Sequence, residues 1–200
     1  MAGCVSLALL IVGAGCSRGP SRLYAPPIDA STAGVKAIET YDADKDGKIS
    51  GAELDSCPAL KAAIAQIDTS GQGVATAEKI TARIKSWQES KIARMPVSCL
   101  VLRGGRPLPG ADVKFVPEEF LGGNVTAASG KTDQRGIAPI SVPAAGANDR
   151  SGAAPGFYRI EITEAGDNIP AKYNAKTILG QEVADDAKGI LGMIRLDLKY

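Results

Sequence analysis

The hydrophobic period of the chain changes at Met95-Pro96, and this change limits the fold more than any other feature. From Ser31 to about Arg94, apolar residues recur at helical spacing: Val35, Ile38 and Tyr41, then Leu60, Ile64 and Ile67, then Ile80, Ile84 and Trp87. Ser31 and Thr32 are placed to cap the first helix, and Pro58 suits the first turn of a later one. Beyond Pro96 the period is two. Val97 to Leu102 is a mostly apolar run, and Val113 and Phe115 alternate with Asp112 and Lys114. Tyr158, Ile160 and Ile162 alternate with Arg159 and Glu161, and Ile194, Leu196 and Leu198 with Arg195 and Asp197. Turn residues punctuate these runs at Gly104-Gly105, Pro109-Gly110, Gly122-Gly123 and through Ala144 to Pro155. Short strands with no helix between them imply an antiparallel β-sandwich. The fold class expected is therefore α+β by separate domains, helical over 31–94 and β over 97–200.

Composition removes several chemistries. With 23 basic and 22 acidic residues the net charge is +1, so no nucleic-acid partner is expected. The chain contains no histidine, which excludes a His-activated nucleophile and any His metal ligand. The adjacent carboxyls Glu118-Glu119 and Asp185-Asp186 would face opposite sides of a strand, so they read as solvated charge rather than an acid–base pair. An enzyme is not expected. Lys172 and Tyr173 remain as residues that could touch a ligand.

The segment from Asp42 to Glu53 sets oxygen donors at regular intervals between two helical patterns. Calcium takes roughly six to eight oxygen ligands, and carboxylates on alternate residues of a curling loop converge on one point. Asp42, Asp44 and Asp46 supply them, Gly47 allows the sharp bend, and Lys48 offers its backbone carbonyl. Ser50 suits a water-bridged contact, and Glu53 provides two oxygens at once, which favours calcium over the smaller magnesium. These twelve residues resemble the EF-hand calcium loop, and the resemblance extends over residues 31–90. It implies an EF-hand pair with Ca²⁺ at Asp42, Asp44, Asp46, Lys48, Ser50 and Glu53, and a short β-bridge to a partner loop through Ile49.

A partner loop follows at Asp68 to Lys79. Asp68, Ser70, Gln72 and Val74 occupy ligand positions, but Lys79 stands where the bidentate glutamate belongs, and Glu78 comes one residue early. With Asp68 the one well-placed carboxylate, the loop reads as a structural partner; Asp68, Ser70, Gln72, Val74 and, by distortion, Glu78 form at most a weaker second metal site. Dockerin modules also carry tandem calcium loops, but both copies normally bind.

The N-terminus reads as a leader. Val5 to Val12 is apolar apart from Ser6, too short to span a bilayer, and Gly13-Ala14-Gly15 precede Cys16. This resembles a bacterial lipobox, which implies a signal peptide over 1–15, lipidation of Cys16, a tether over 16–30 and an exported, outer-membrane or cell-surface lipoprotein held by its lipid anchor. Cys57 and Cys99 then remain as a pair. An oxidising compartment favours a bridge between them, with about 4 kcal/mol from loop closure; two buried free thiols are the alternative.

In the second half, Leu102 to Pro117 contains Arg106-Pro107-Leu108-Pro109-Gly110-Ala111, followed by Thr132-Asp133-Gln134-Arg135-Gly136 and Pro155-Gly156-Phe157-Tyr158. The order resembles carboxypeptidase-regulatory-like domains, which implies a transthyretin-like sandwich over 97–200; the motifs carry fold rather than chemistry, and the partner expected for this module is an unidentified protein or carbohydrate. Two further functions remain open: an accessory or regulatory subunit docking on a secreted enzyme, and a calcium-independent structural surface lipoprotein.

Overall fold

Helices occupy the first half of the chain in the computed structural model, which describes residues 24–143, 151–166, 169–187, 189–190 and 192–200. They are α1 (Ala30–Tyr41), α2 (Glu53–Ser56), α3 (Pro58–Ile67) and α4 (Ala77–Ser90). The leader and Cys16 lie outside the described residues. The cap of α1 is Asp29, not Ser31 or Thr32: its carboxylate accepts from the Thr32 backbone N–H at 3.0 Å and from the Ser31 and Thr32 hydroxyls. The buried face of α1 also differs from the expected one. Ala30, Ala33, Gly34 and Ala37 are buried, whereas Val35 is 50% exposed. Close approach of α4 is the cause, because a Cβ on Gly34 would collide with the Ala77 carbonyl and the Thr81 hydroxyl. Small residues win that face over large ones. Pro58 opens α3 as expected and separates it from α2 at Cys57, since proline disfavours helical backbone in the residue before it.

Two residues from each loop, β1 (Lys48–Ile49) and β2 (Ala75–Thr76), pair antiparallel with Ile49 opposite Ala75. The second half forms two four-stranded sheets. One has β3 (Val97–Arg103) at its centre, flanked by β4 (Arg106–Pro107), β7 (Ile137–Ile140) and β10 (Ile194–Leu198). The other runs in the order β6 (Ala128–Lys131), β5 (Asp112–Pro117), β8 (Gly156–Thr163), β9 (Gly180–Val183). Mixed helix and sheet is thus the class of the chain. One pairing departs from the expected antiparallel pattern: β10 runs parallel to β3, Ile194 opposite Cys99 through Leu198 opposite Arg103. Alternation of apolar residues fixes the face of a strand but not its direction, and the long connection between these two permits either.

Helices and sheets share one continuous buried core. All three phenylalanines and the single tryptophan lie in it. Trp87 of α4 packs edge-on against Phe157 of β8 with centroids 4.6 Å apart, Phe157 meets Phe120 at 6.0 Å, and Phe120 meets Tyr41 of α1 at 6.3 Å. Beside this seam, Arg83 of α4 donates from Nε to Glu182 of β9 at 2.5 Å and from both terminal nitrogens to Asp186 at 2.8 and 2.6 Å. Trp87 Nε1 donates to the same Glu182 oxygen at 2.9 Å. Arg83 and Glu182 are buried, whereas Asp186 is exposed. Removing the cation would leave Glu182 a buried charge without its partner, so Arg83→Met should cost about 3–5 kcal/mol in urea unfolding. Asp186→Ala, at the wet end of the pair, should cost under about 1 kcal/mol. Equal, small losses would show that the buried pair does not hold the helices to the sheet.

Candidate metal centre

The first loop leaves α1 directly. Asp42 takes over from Tyr41, and its backbone N–H still donates to Ile38 in the last helical turn. The chain then curls back through two left-handed residues, Lys45 (φ +62°) and Gly47 (φ +83°). Asp42, Asp44 and Asp46 thereby come together, with one carboxylate oxygen of each within 4.8 Å of the others. The loop folds around these groups through its own amides. Asp46 N–H donates to Asp42 at 3.2 Å and to Asp44 at 3.1 Å, and Gly47 N–H donates to Asp42 at 2.9 Å. Glu53, the first residue of α2, reaches back across the loop. Its carboxylate accepts from Ser50 N–H at 3.0 Å, from Ala43 N–H at 2.7 Å and from Asp44 N–H at 3.3 Å, and these amides hold its pKa below the ordinary carboxyl value. Lys48 directs its ammonium toward Asp46 at 3.6 Å, and its backbone forms β1. Ser50 follows at the end of that strand. Of the six residues expected at the site, three acidic side chains converge and the other three are placed around them.

Three hard anionic donors at this spacing repel one another in the absence of a cation, and their chemistry suits an oxygen-seeking divalent ion. Ile49, next to Lys48, is fully buried and anchors the loop to the core.

The second loop uses its groups differently. Asp68 is buried, and Lys79 Nζ donates to it at 2.8 Å and to the Val74 carbonyl at 3.3 Å. Ser70 donates to Asp68 through its hydroxyl at 2.6 Å, and Val74 N–H does so at 3.1 Å. Lys79, chiefly, keeps the Asp68 carboxyl far below its usual range. Glu78 is exposed in the first turn of α4, held by its own backbone N–H and by Thr76, and Gln72 is exposed. The weaker set of Asp68, Ser70, Gln72, Val74 and Glu78 is therefore not assembled as a metal site. Its main donors already serve an ammonium.

A buried acid that sequence reasoning assigned to solvent lies behind the first loop. Glu118, just after β5, is 1% exposed and accepts from the Tyr41 hydroxyl at 2.9 Å. Pro117 before it and Phe120-Leu121 after it are the signals that place it inside. Burial raises its pKa, against the hydrogen bond from Tyr41, the nearby Arg159 and the Cys57 thiol, while Glu119 adds to the rise. Cys57 and Cys99 are free thiols, so the bridge expected between them is not formed. Cys57 faces Tyr41 and Glu118, while Cys99 sits in β3 between Ile194 and Ala138. Burial suppresses both thiolates, raising the Cys99 thiol to about 12, and a thiolate is what disulfide exchange requires. Lys172 and Tyr173 are taken up by the backbone of Lys199, the first donating to its carbonyl at 3.2 Å and the second accepting from its N–H at 2.8 Å.

Among the described residues, no helix is long and apolar enough to cross a membrane. Comparison of the chain with protein-family models, with curated proteins and with solved structures finds no match.

The raised Glu118 carboxyl has a defined consequence for pH. Between the ordinary carboxyl range and its higher folded-state pKa, the unfolded chain loses the proton first, so stability falls as pH rises through that window. Glu118→Gln cannot ionise and still offers an oxygen to Tyr41. It should match wild type near pH 4 and exceed it in melting temperature at pH 8. A variant equal to wild type near pH 4 but less stable at pH 8 would show that the folded protein needs the Glu118 anion.

Proposed function

We propose that this chain is an exported, lipid-anchored calcium-binding protein. An EF-hand pair with one competent loop packs on a transthyretin-like β-sandwich that serves as a binding module for a protein or carbohydrate. The observation that carries the calcium reading is the convergence of Asp42, Asp44 and Asp46 within 4.8 Å, in a loop closed by Glu53 and bridged to its neighbour at Ile49–Ala75. Asp42, Asp44, Asp46, the Lys48 carbonyl, Ser50 and Glu53 would hold the ion. Calcium supplies the positive charge that offsets the clustered carboxylates. The role is stabilising rather than signalling. Sensor pairs open to expose a Met-rich groove, and among the described residues the helical half, 31–94, contains no methionine, Met95 coming directly after it. The face α1 would have to open is also closed by small residues against α4.

Titration calorimetry on the mature chain tests this. We expect one site with Kd on the order of 10⁻⁴–10⁻³ M, as in extracellular modules. Calcium at a hundred times Kd should add about 2.7 kcal/mol to folding stability. Glu53→Gln, which removes the bidentate anion, should weaken binding by about tenfold or more. Binding undiminished in that variant, or none in wild type, would overturn the assignment. Membrane attachment has its own test: fatty-acid labelling should mark wild type and not Cys16→Ala, and an unlabelled wild type would remove the anchor.

A further inference from the structure

Lys79 occupies the last position of the second loop, where an ion-binding loop carries an anion. It lies in the first turn of α4, where its N–H is capped by the Thr76 hydroxyl at 3.3 Å, and its side chain turns back into the loop. The ammonium meets the carboxylate of the loop's first residue, Asp68, at 2.8 Å and the carbonyl of its seventh, Val74, at 3.3 Å. These are two of the donor types that a calcium loop turns on its ion. Charge matches as well: the second loop encloses one buried carboxylate and one monovalent cation, whereas the first gathers four carboxyl groups. The two loops also share a backbone form. Gly71 and Gly73 (φ +75° and +71°) repeat the left-handed turns of Lys45 and Gly47 at the same loop positions. The second loop therefore holds the same curl as the first, with its buried carboxylate paired to an ammonium of its own.

We propose that the Lys79 ammonium is the resident cation of the second loop, holding it in the form that pairs with the first and so making Lys79 a positioning residue for the first loop's site. This rests on the reading of the first loop as a calcium site. Asp68 would otherwise be a buried carboxylate without a counter-charge, which at neutral pH favours an opened loop over the closed one. Opening would release Ala75 and Thr76, and with them the partners of Ile49 and Lys48. With Lys79 in place, β2 stands ready before any metal arrives. Calcium then enters a paired first loop at one site, with no dependence on a second ion.

The test is amide exchange of the full mature chain in EDTA, read at Lys48, Ile49, Ala75 and Thr76, alongside calcium titration. Lys79→Met keeps most of the side-chain length and removes the charge; Lys79→Gln is a second neutral variant, and Lys79→Arg keeps the charge. We expect protection in wild type and Lys79→Arg, a loss of about tenfold in the neutral variants, and calcium binding at the first loop weakened several-fold in them. Unchanged protection in both neutral variants would overturn the proposal, as would two calcium ions bound by wild type. Protection lost in the neutral variants, in a wild type that binds no calcium, would overturn the calcium reading and leave Lys79 as the cation of its loop.

Discussion

The buried contact of Arg83 with Glu182, sealed by Trp87 on Phe157, is the joint on which the rest of the molecule depends. It ties α4 to the second sheet beside α3, whose Pro58 and Ala59 backbone lies directly against Gly180 of β9. Helix α1 then lies on α4 through Gly34, and both paired loops hang from these two helices. A guanidinium suits this position because its planar fork serves a buried carboxylate on one side and a solvated one on the other. Aromatic residues are few in the sequence, and their concentration along this seam gives the helical layer more apolar contact than its alanine-rich faces could supply alone.

The two loops solve one electrostatic problem in two ways. Each must turn its chain sharply between helices and keep a short strand in register with the other. The first does so with clustered anions and a carboxylate that gathers backbone amides; the second does so with an internal ammonium. Tyr41 links this pair to the sheets, since it ends α1 one residue before Asp42 and donates to Glu118 beyond β5. The candidate site thus rests on a hydrogen bond to the interior rather than on a free surface loop.

Much of this was legible in the residues. The spacing of Asp42, Asp44, Asp46 and Glu53 marks the loop in which the three aspartates come together and Glu53 reaches back to the loop amides. The apolar run Val97–Leu102 and the alternations through Val113–Phe115, Tyr158–Ile162 and Ile194–Leu198 mark strands β3, β5, β8 and β10. Strands β6, β7 and β9 carry no such mark: Ala-Ser-Gly-Lys, Ile-Ala-Pro-Ile and Gly-Gln-Glu-Val are strands through their neighbours rather than their own pattern. Val35 was misjudged because periodicity rewards bulk, while helix contact at Gly34 rewards its absence. Cysteine parity misled about Cys57 and Cys99, since an even count carries no information on distance or direction. Lys79 was visible at the last position of the loop but not as the partner of Asp68, because that contact needs its side chain to turn back into the loop.

The parallel pairing of β10 with β3 has a consequence in time. Strand β3 is made early in the second half of the chain, yet one of its edges waits for residues 194–198, made after every other strand. Until they emerge from the ribosome, a central, apolar strand stands with open hydrogen-bonding groups on that side. Such distant pairing closes slowly, because a long loop must be ordered before the contact rewards it. Single helices, whose hydrogen bonds join near neighbours, can form while the sheet is still incomplete, but the joint at Phe157 and Glu182 cannot. The nascent chain should therefore pass through a period in which helices exist without the sheet they pack on, and the open edge of β3 invites association with other chains.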